Sequence, residues 1–453
     1  MATTAQLVSV IRFHLHELKA QNAHHDFEHL CRHLTRLRIY SNVLPATGPV
    51  SAGGDAGRDF ETKIVVKTNA PELLRNAHQR VASLRQQRTR LDERVPTVMV
   101  MQEMAQRRPT HLLERGQYDR PGERVEPGVP ASLPALPPEA ANNRLGFARW
   151  LVDPGHPLTA RVAVNRWWQQ FFGTGLVRTT EDFGAQGQPP SHAELLDWLA
   201  RELVDSGWDA KRLQAAIVTS STYRQSSRVT PELAERDADN RLLARGPRFR
   251  LSAEMIRDQA LAAAGLLTGP LGGPSVKPYQ PEGLWTDIAT DNEYVQDHGA
   301  DLYRRSLYTY WKRTITPPTM SVFDAPSRET CVVRTTRTNT PLQALALLNE
   351  VTFVEAARVL AEHVMREEGA PKAQIERAFR LVLCRPPDEE ELRLLLAGFE
   401  RHLAHFRNDL AAADELTSVG EYPREAAVDV AELAAYTATV SVIVNLDEAL
   451  TRK

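Results

Sequence analysis

The chain has 453 residues, 42% of them hydrophobic and 25% charged, and its 55 basic and 57 acidic side chains leave a formal charge of -2. That length suggests two to four domains at roughly 100–200 residues each. Near-neutrality argues against a globally basic nucleic-acid binder while leaving room for a local basic patch, and no run of about eighteen apolar residues marks a membrane-spanning helix.

Three cysteines, Cys31, Cys331 and Cys384, without CxxC or CxxCH spacing, encode neither a disulfide framework, nor a zinc knuckle, nor covalent haem. No cofactor is implied. Residues 1–20 lack the basic head, long apolar run and small-residue cleavage site of an export signal, so the sequence as it stands reads as cytoplasmic. Leu7, Val10, Ile11, Leu15 and Leu18 instead follow helical spacing. A second helix is expected over about 24–38, with Phe27, Leu30, Leu34 and Leu37 on one face. His25, His29 and His33 line the opposite, solvent face, where no closing ligand is evident, so no metal site is assigned. A Gly-rich turn, GPVSAGGDAGRD, and a strand-like FETKIVVK follow.

This opening zone, 1–70, resembles the start of restriction-endonuclease-like domains of the PD-(D/E)xK type. The resemblance implies Glu28 on the helix, Asp55 or Asp59 as the aspartate, and Glu61 with Lys63 as the ExK pair. Such carboxylates hold Mg²⁺ and the lysine activates water. The Asp and ExK stand closer together than the family has them, and the family's downstream strand and helix are missing, so a truncated fragment is expected. Nucleic acid is a partner only if that fragment is active.

The next zone, 71–142, is expected to hold an Arg-rich polar helix over 71–94 and a short strand in VPTVMVM (95–101). It closes with a Pro/Gly-rich stretch, RPGERVEPGVPASLPALPPEA, expected as an extended wrap outside any core. The third zone, 143–453, reads as mostly helical. Ser191 with Glu194, Thr340 with Gln343, Thr352 with Glu355, and Asp388 with Glu391 each match the capping-box pattern, and Gly207 is placed to end the helix that Ser191 would start. RRSLYTYWKR (304–313) alternates aromatic and polar residues and reads as strand-like. The expected fold class is mainly α: an irregular multi-helix domain with a few short strands and a long Pro/Gly-rich wrap, preceded by a small α/β-like fragment.

The third zone also carries long motifs in order. They include RLGFARWLVDPGHPLTARVAVNRWW, SSTYRQSS, RFRLSAEMIRDQAL, LYRRSLYTYWKRTITPPTMSVFDAPSRETCVVRTTRTNTPLQALALLN and LAAYTATVSVIVNLDEAL. Together these resemble the planctomycete-specific "PSD-one" family, domain of unknown function 1553, over about residues 75–450. The family implies relatives in large exported proteins, often beside a cytochrome-c-like domain. Here a nuclease-like piece precedes it instead.

Between residues 300 and 340, seven Lys/Arg stand against three acids, and the arginines are interleaved with Tyr and Trp. Arg304, Arg305, Arg313, Arg328, Arg334 and Arg337 are planar, bidentate donors suited to carboxylate, sulfate or phosphate. Tyr308, Tyr310 and Trp311 offer stacking faces, Asn339 and Gln343 offer further polar contacts, and Asp324 and Glu329 are the candidates for acid–base chemistry. The competing reading is a buried Arg–carboxylate network that pins loops to helices. Arg161, Asn165 and Arg166, and Glu254, Arg257 and Asp258, read as structural. No Walker loop, GxSxG elbow or dinucleotide GxGxxG is present. Three functions follow from this. The first is a non-catalytic binding or scaffold module that recognises an acidic polysaccharide or protein partner through the Arg/aromatic segment. The second is a hydrolase acting on an extracellular, sulfated polysaccharide, and the third is the Mg²⁺-dependent nuclease.

Overall fold

The computed structural model describes residues 72–95, 97–285, 293–312, 314–367 and 369–452. The nuclease-like residues Glu28, Asp55, Asp59, Glu61 and Lys63, the histidine stripe and Arg313 lie outside them. The chain divides into two units, Met1–Arg107 and Arg108–Lys453. In the first, α1 (Glu72–Arg94) is the expected polar helix, with an Arg88–Asp92 pair at 3.4 Å one turn apart. The strand expected in VPTVMVM does not form, and Val98, Met99, Val100 and Met101 are exposed in irregular backbone. Their β-prone side chains have no neighbouring strand among the described residues, and a strand exists only as one member of a hydrogen-bonded pair.

The second unit opens with an antiparallel hairpin, β1 (Thr110–Leu113) and β2 (Pro121–Val125). Part of the Pro/Gly-rich stretch is therefore a strand rather than a wrap. The remainder is irregular and is tacked to α2 (Arg144–Leu151), where Trp150 Nε1 donates to the Pro134 carbonyl at 2.7 Å. A first core follows from α3 (Thr159–Phe172), α4 (Ala193–Asp205) and α5 (Ala210–Thr219). Val164, Trp168 and Phe172 recur every four residues on α3, so they share one face. They pack on Leu196, Leu199, Leu203, Leu213 and Ile217. Gly207, at φ +72°, follows the end of α4 as expected. The Ser191 capping box does not form: α4 starts at Ala193 behind His192, and the Ser191 amide donates to Leu176 O instead.

After α6 (Pro231–Arg236) and β3 (Phe249–Arg250), a larger core gathers α7 (Ala253–Ala263), α8 (Pro318–Val322), α9 (Pro341–Asn349), α10 (Val351–Glu367), α11 (Pro371–Leu383), α12 (Glu389–Asn408), α13 (Leu410–Thr417) and α14 (Val430–Val444). Helix α14 is apolar around most of its circumference and occupies the centre, with Leu433, Ala434, Ala435, Tyr436 and Ile443 fully buried. The short α15 (Asp447–Leu450) leads into β4 (Thr451–Arg452), which pairs with β3. Reciprocal capping boxes form at Thr340/Gln343 and Asp388/Glu391. The one expected at Thr352/Glu355 does not, because α10 begins one residue earlier and the Glu350 carboxylate accepts from the Thr352 amide at 3.0 Å. No described helix is long and apolar enough to cross a membrane.

Residues 304–312 are not a strand. They form a 3₁₀ turn, Ser306–Tyr308, just after another at Gly299–Tyr303, with isolated bridges Thr268↔Arg304 and Val276↔Thr309. Side-chain bonds from α7 override the alternating pattern. Arg257 donates to the carbonyls of Leu302 (2.6 Å) and Arg304 (3.0 Å), and Asp258 accepts from the Ser306 amide at 2.8 Å.

Candidate functional site

A cleft of about 410 Å³ opens where the C-terminal end of α3 meets the loop from Ser227 to Phe249 and Arg337 of the Arg/aromatic segment. Five arginines line it: Arg178, Arg241, Arg245, Arg248 and Arg337. Asp239 is the single carboxylate among its lining residues.

The sequence builds each wall locally. Gly173 ends α3 in the left-handed region at φ +77°, and an added Cβ would stand 2.7 Å from the Phe249 ring, so only glycine lets that ring close on the helix end. Fully buried Asn165 ties the following loop back to α3, accepting from Val177 N at 2.8 Å and donating to Val177 O at 3.0 Å, which sets Arg178 on the rim. The lining segment around residues 237–245 is fixed by side-chain-to-backbone bonds. The Asp237 carboxylate accepts from the amides of Arg241 and Leu242, both at 2.7 Å. Asn240 donates to Arg245 O at 2.8 Å, and the buried Arg245 guanidinium donates to Asp237 O (2.9 Å) and Ala238 O (2.7 Å). Arg452 stacks 3.7 Å above the Tyr223 ring and donates to Phe171 O, and the lining residue Arg248 pairs with Asp447.

These arginines differ in what remains free. Arg245 is spent on carbonyls, Arg248 is paired, and Arg178 pairs with Asp239 at 2.9 Å. Arg241 has no side-chain hydrogen bond or ion pair among the described residues. Arg337 lies 4.4 Å above the Phe249 ring and has neither a hydrogen bond nor an ion pair there. Desolvation holds its guanidinium below the ordinary arginine value, with no carboxylate to offset it. It nevertheless remains charged at neutral pH. An arginine stacked on a ring with its donors free is arranged to receive a planar or tetrahedral anion.

The Arg/aromatic segment is divided between two environments. Arg304 is buried, stacked 3.9 Å over Tyr308, and donates to Gly272 O (2.5 Å) and Pro274 O (2.8 Å), while Tyr308 itself accepts from Gly272 N at 2.7 Å. Trp311 donates to Ser327 O at 3.0 Å and carries Arg328 over its ring at 4.2 Å. These groups pin loops. Arg305 and Glu329 are exposed. Asp324 accepts from both the amide and the hydroxyl of Thr338, at 2.7 and 2.8 Å, and does not line the cleft. Gln343 is buried in its cap and donates to Val322 O at 2.9 Å. Asn339 accepts from Arg250 at 3.2 Å, and Arg334 lies 3.9 Å from Glu181. The segment thus contributes Arg337 to the cleft lining. Sequence reasoning did not single out Arg178, Arg241, Arg248, Phe249 or Asp239. The density of arginine in RDADNRLLARGPRFR, a turn-rich stretch between helices, was the available signal. No cluster of three or more His, Cys, Asp or Glu suited to a metal occurs among the described residues.

The fold and cleft define a mainly helical protein with a preorganised, arginine-lined pocket. Residues 143–399 match the family described as "Protein of unknown function (DUF1553)", PSD1, and the chain belongs to it. No curated protein and no solved structure matches the chain.

Proposed function

We propose that the helical unit is a non-catalytic binding module for an acidic ligand, which it receives in the arginine-lined cleft. The observation that carries this reading is Arg337: an exposed guanidinium stacked on Phe249, without a hydrogen-bond partner among the described residues, in a cleft that the equally unpaired Arg241 also lines. Donors left unpaired next to a cavity favour an anion over water, because an anion adds charge attraction and can accept two parallel N–H bonds from one guanidinium. The rim loops are already held by Asp237, Asn240 and Arg245, so little ordering cost falls on binding. The hydrolase reading has less support, since Asp324 is occupied by Thr338 and neither it nor Glu329 lines the cleft.

Titration calorimetry with a sulfated polysaccharide and with polyglutamate, against neutral dextran, tests the proposal. The protein should bind at least one polyanion and not dextran, with affinity falling as salt rises. Arg337→Ala should weaken binding about tenfold or more. Arg393→Ala, on the exposed face of α12, should not change it. Equal affinity in Arg337→Ala and the unaltered protein would remove the cleft from the account.

A further inference from the structure

We infer that Asp239 is a built-in competitor that makes the cleft selective for phosphate monoesters over carboxylates; this rests on the anion-binding reading above. Asp239 and Arg178 both line the cleft, stand 61 residues apart in the chain, and pair through their side chains at 2.9 Å. Both side chains are about half exposed, 60% and 45%, so the pair is screened and displaceable. The backbone around Asp239 is held, so a displaced carboxylate stays within a side-chain rotation of Arg178. The carbonyls on its N-terminal side, Asp237 O and Ala238 O, are held by Arg245, and the next residue, Asn240, is bonded to Arg245.

An incoming anion therefore meets a carboxylate already seated on Arg178 at high effective concentration. A ligand monocarboxylate exchanges one carboxylate for another there and gains nothing at that arginine. A phosphate monoester carries close to two charges near neutral pH and three acceptor oxygens, so it outcompetes Asp239 and still serves a second guanidinium. Arg337 and Arg241, which have no carboxylate of their own, supply that second contact.

The test uses two probes that share a ring and differ in the acid: phenyl phosphate and benzoate. Calorimetry on the full chain should show phenyl phosphate bound about tenfold or more tightly than benzoate, and Asp239→Asn should bind benzoate about tenfold better, narrowing the ratio. Asp239→Ser should do the same, and unchanged thermal midpoints would show that both variants fold. If phenyl phosphate binds and neither variant alters the ratio, Asp239 is not the discriminator, although the cleft still takes anions. If neither probe binds the unaltered protein or Asp239→Asn, the anion-binding reading itself falls, and this inference with it.

Discussion

Arg358 and Arg337 show how differently one residue type is used here. Arg358 is among the largest fully buried side chains of the described residues, paired with the equally buried Glu362 at 2.7 Å and donating to Tyr422 O at 2.6 Å. Arg337 keeps its donors free beside the cleft. Removing Arg358 leaves the buried Glu362 carboxylate with only Arg366, at 3.9 Å, so Arg358→Met should cost about 3–5 kcal/mol in a urea titration. Replacing both partners, with Arg358→Met and Glu362→Leu together, should recover much of that, because the cost lies in the unpaired charge rather than in the loss of attraction. The local sequence gives a first hint, since Arg358 stands among apolar residues in EAARVLAEHV and Arg337 among polar ones in RTTRTNT, but the approach of distant chain decides which partners each one meets.

At the scale of elements, the same four-residue pattern had two outcomes. Thr340 and Asp388 cap α9 and α12 reciprocally. Ser191 and Thr352 match the pattern without forming the box: Ser191 is drawn to Leu176 O from another segment, and Thr352 lies inside α10 behind Glu350. Asp388→Ala should therefore destabilise the protein by about 1 kcal/mol, whereas Ser191→Ala should stay within about 0.5 kcal/mol, as read from denaturant midpoints. Helix positions were legible because amphipathic spacing is a property of the chain alone, as in α3 and α12. Strand positions were not. VPTVMVM and RRSLYTYWKR carry β-type patterns, but one has no partner among the described residues and the other is pinned into 3₁₀ turns by Arg257 and Asp258.

At the scale of the larger core, the stretches that flank its helices converge on one buried carboxylate. Glu355 Oε1 accepts from Tyr303 Oη at 2.9 Å and from Tyr422 N at 2.7 Å, and Tyr279 Oη lies 3.4 Å away. Burial, with Glu355 nearby, pushes the Tyr279 phenol up to about 12 and raises that of Tyr303 as well. A raised phenol value favours the protonated form in the folded state. The stability it brings is complete below the unfolded value near 10 and is lost as pH climbs through about 12. The urea midpoint should hold to about pH 10 and fall steeply by about pH 12. Tyr303→Phe should start from a lower midpoint, having lost its bond to Glu355, and show a shallower alkaline fall. By itself the sequence determined the mainly helical class, the family and the presence of an arginine-rich segment, all of which follow from spacing and motif order along the chain, while of four capping-box matches the structure decided which two form. Only the tertiary structure decided which arginines are spent on carbonyls and which face a cavity, and that Arg178, Asp239 and Arg337, from three separate stretches, share one cleft. A guanidinium's availability depends on which carbonyls and carboxylates come within about 3 Å of it, and although some of those partners are local, as for Arg245, those of Arg178, Arg248 and Arg304 come from distant stretches of the chain.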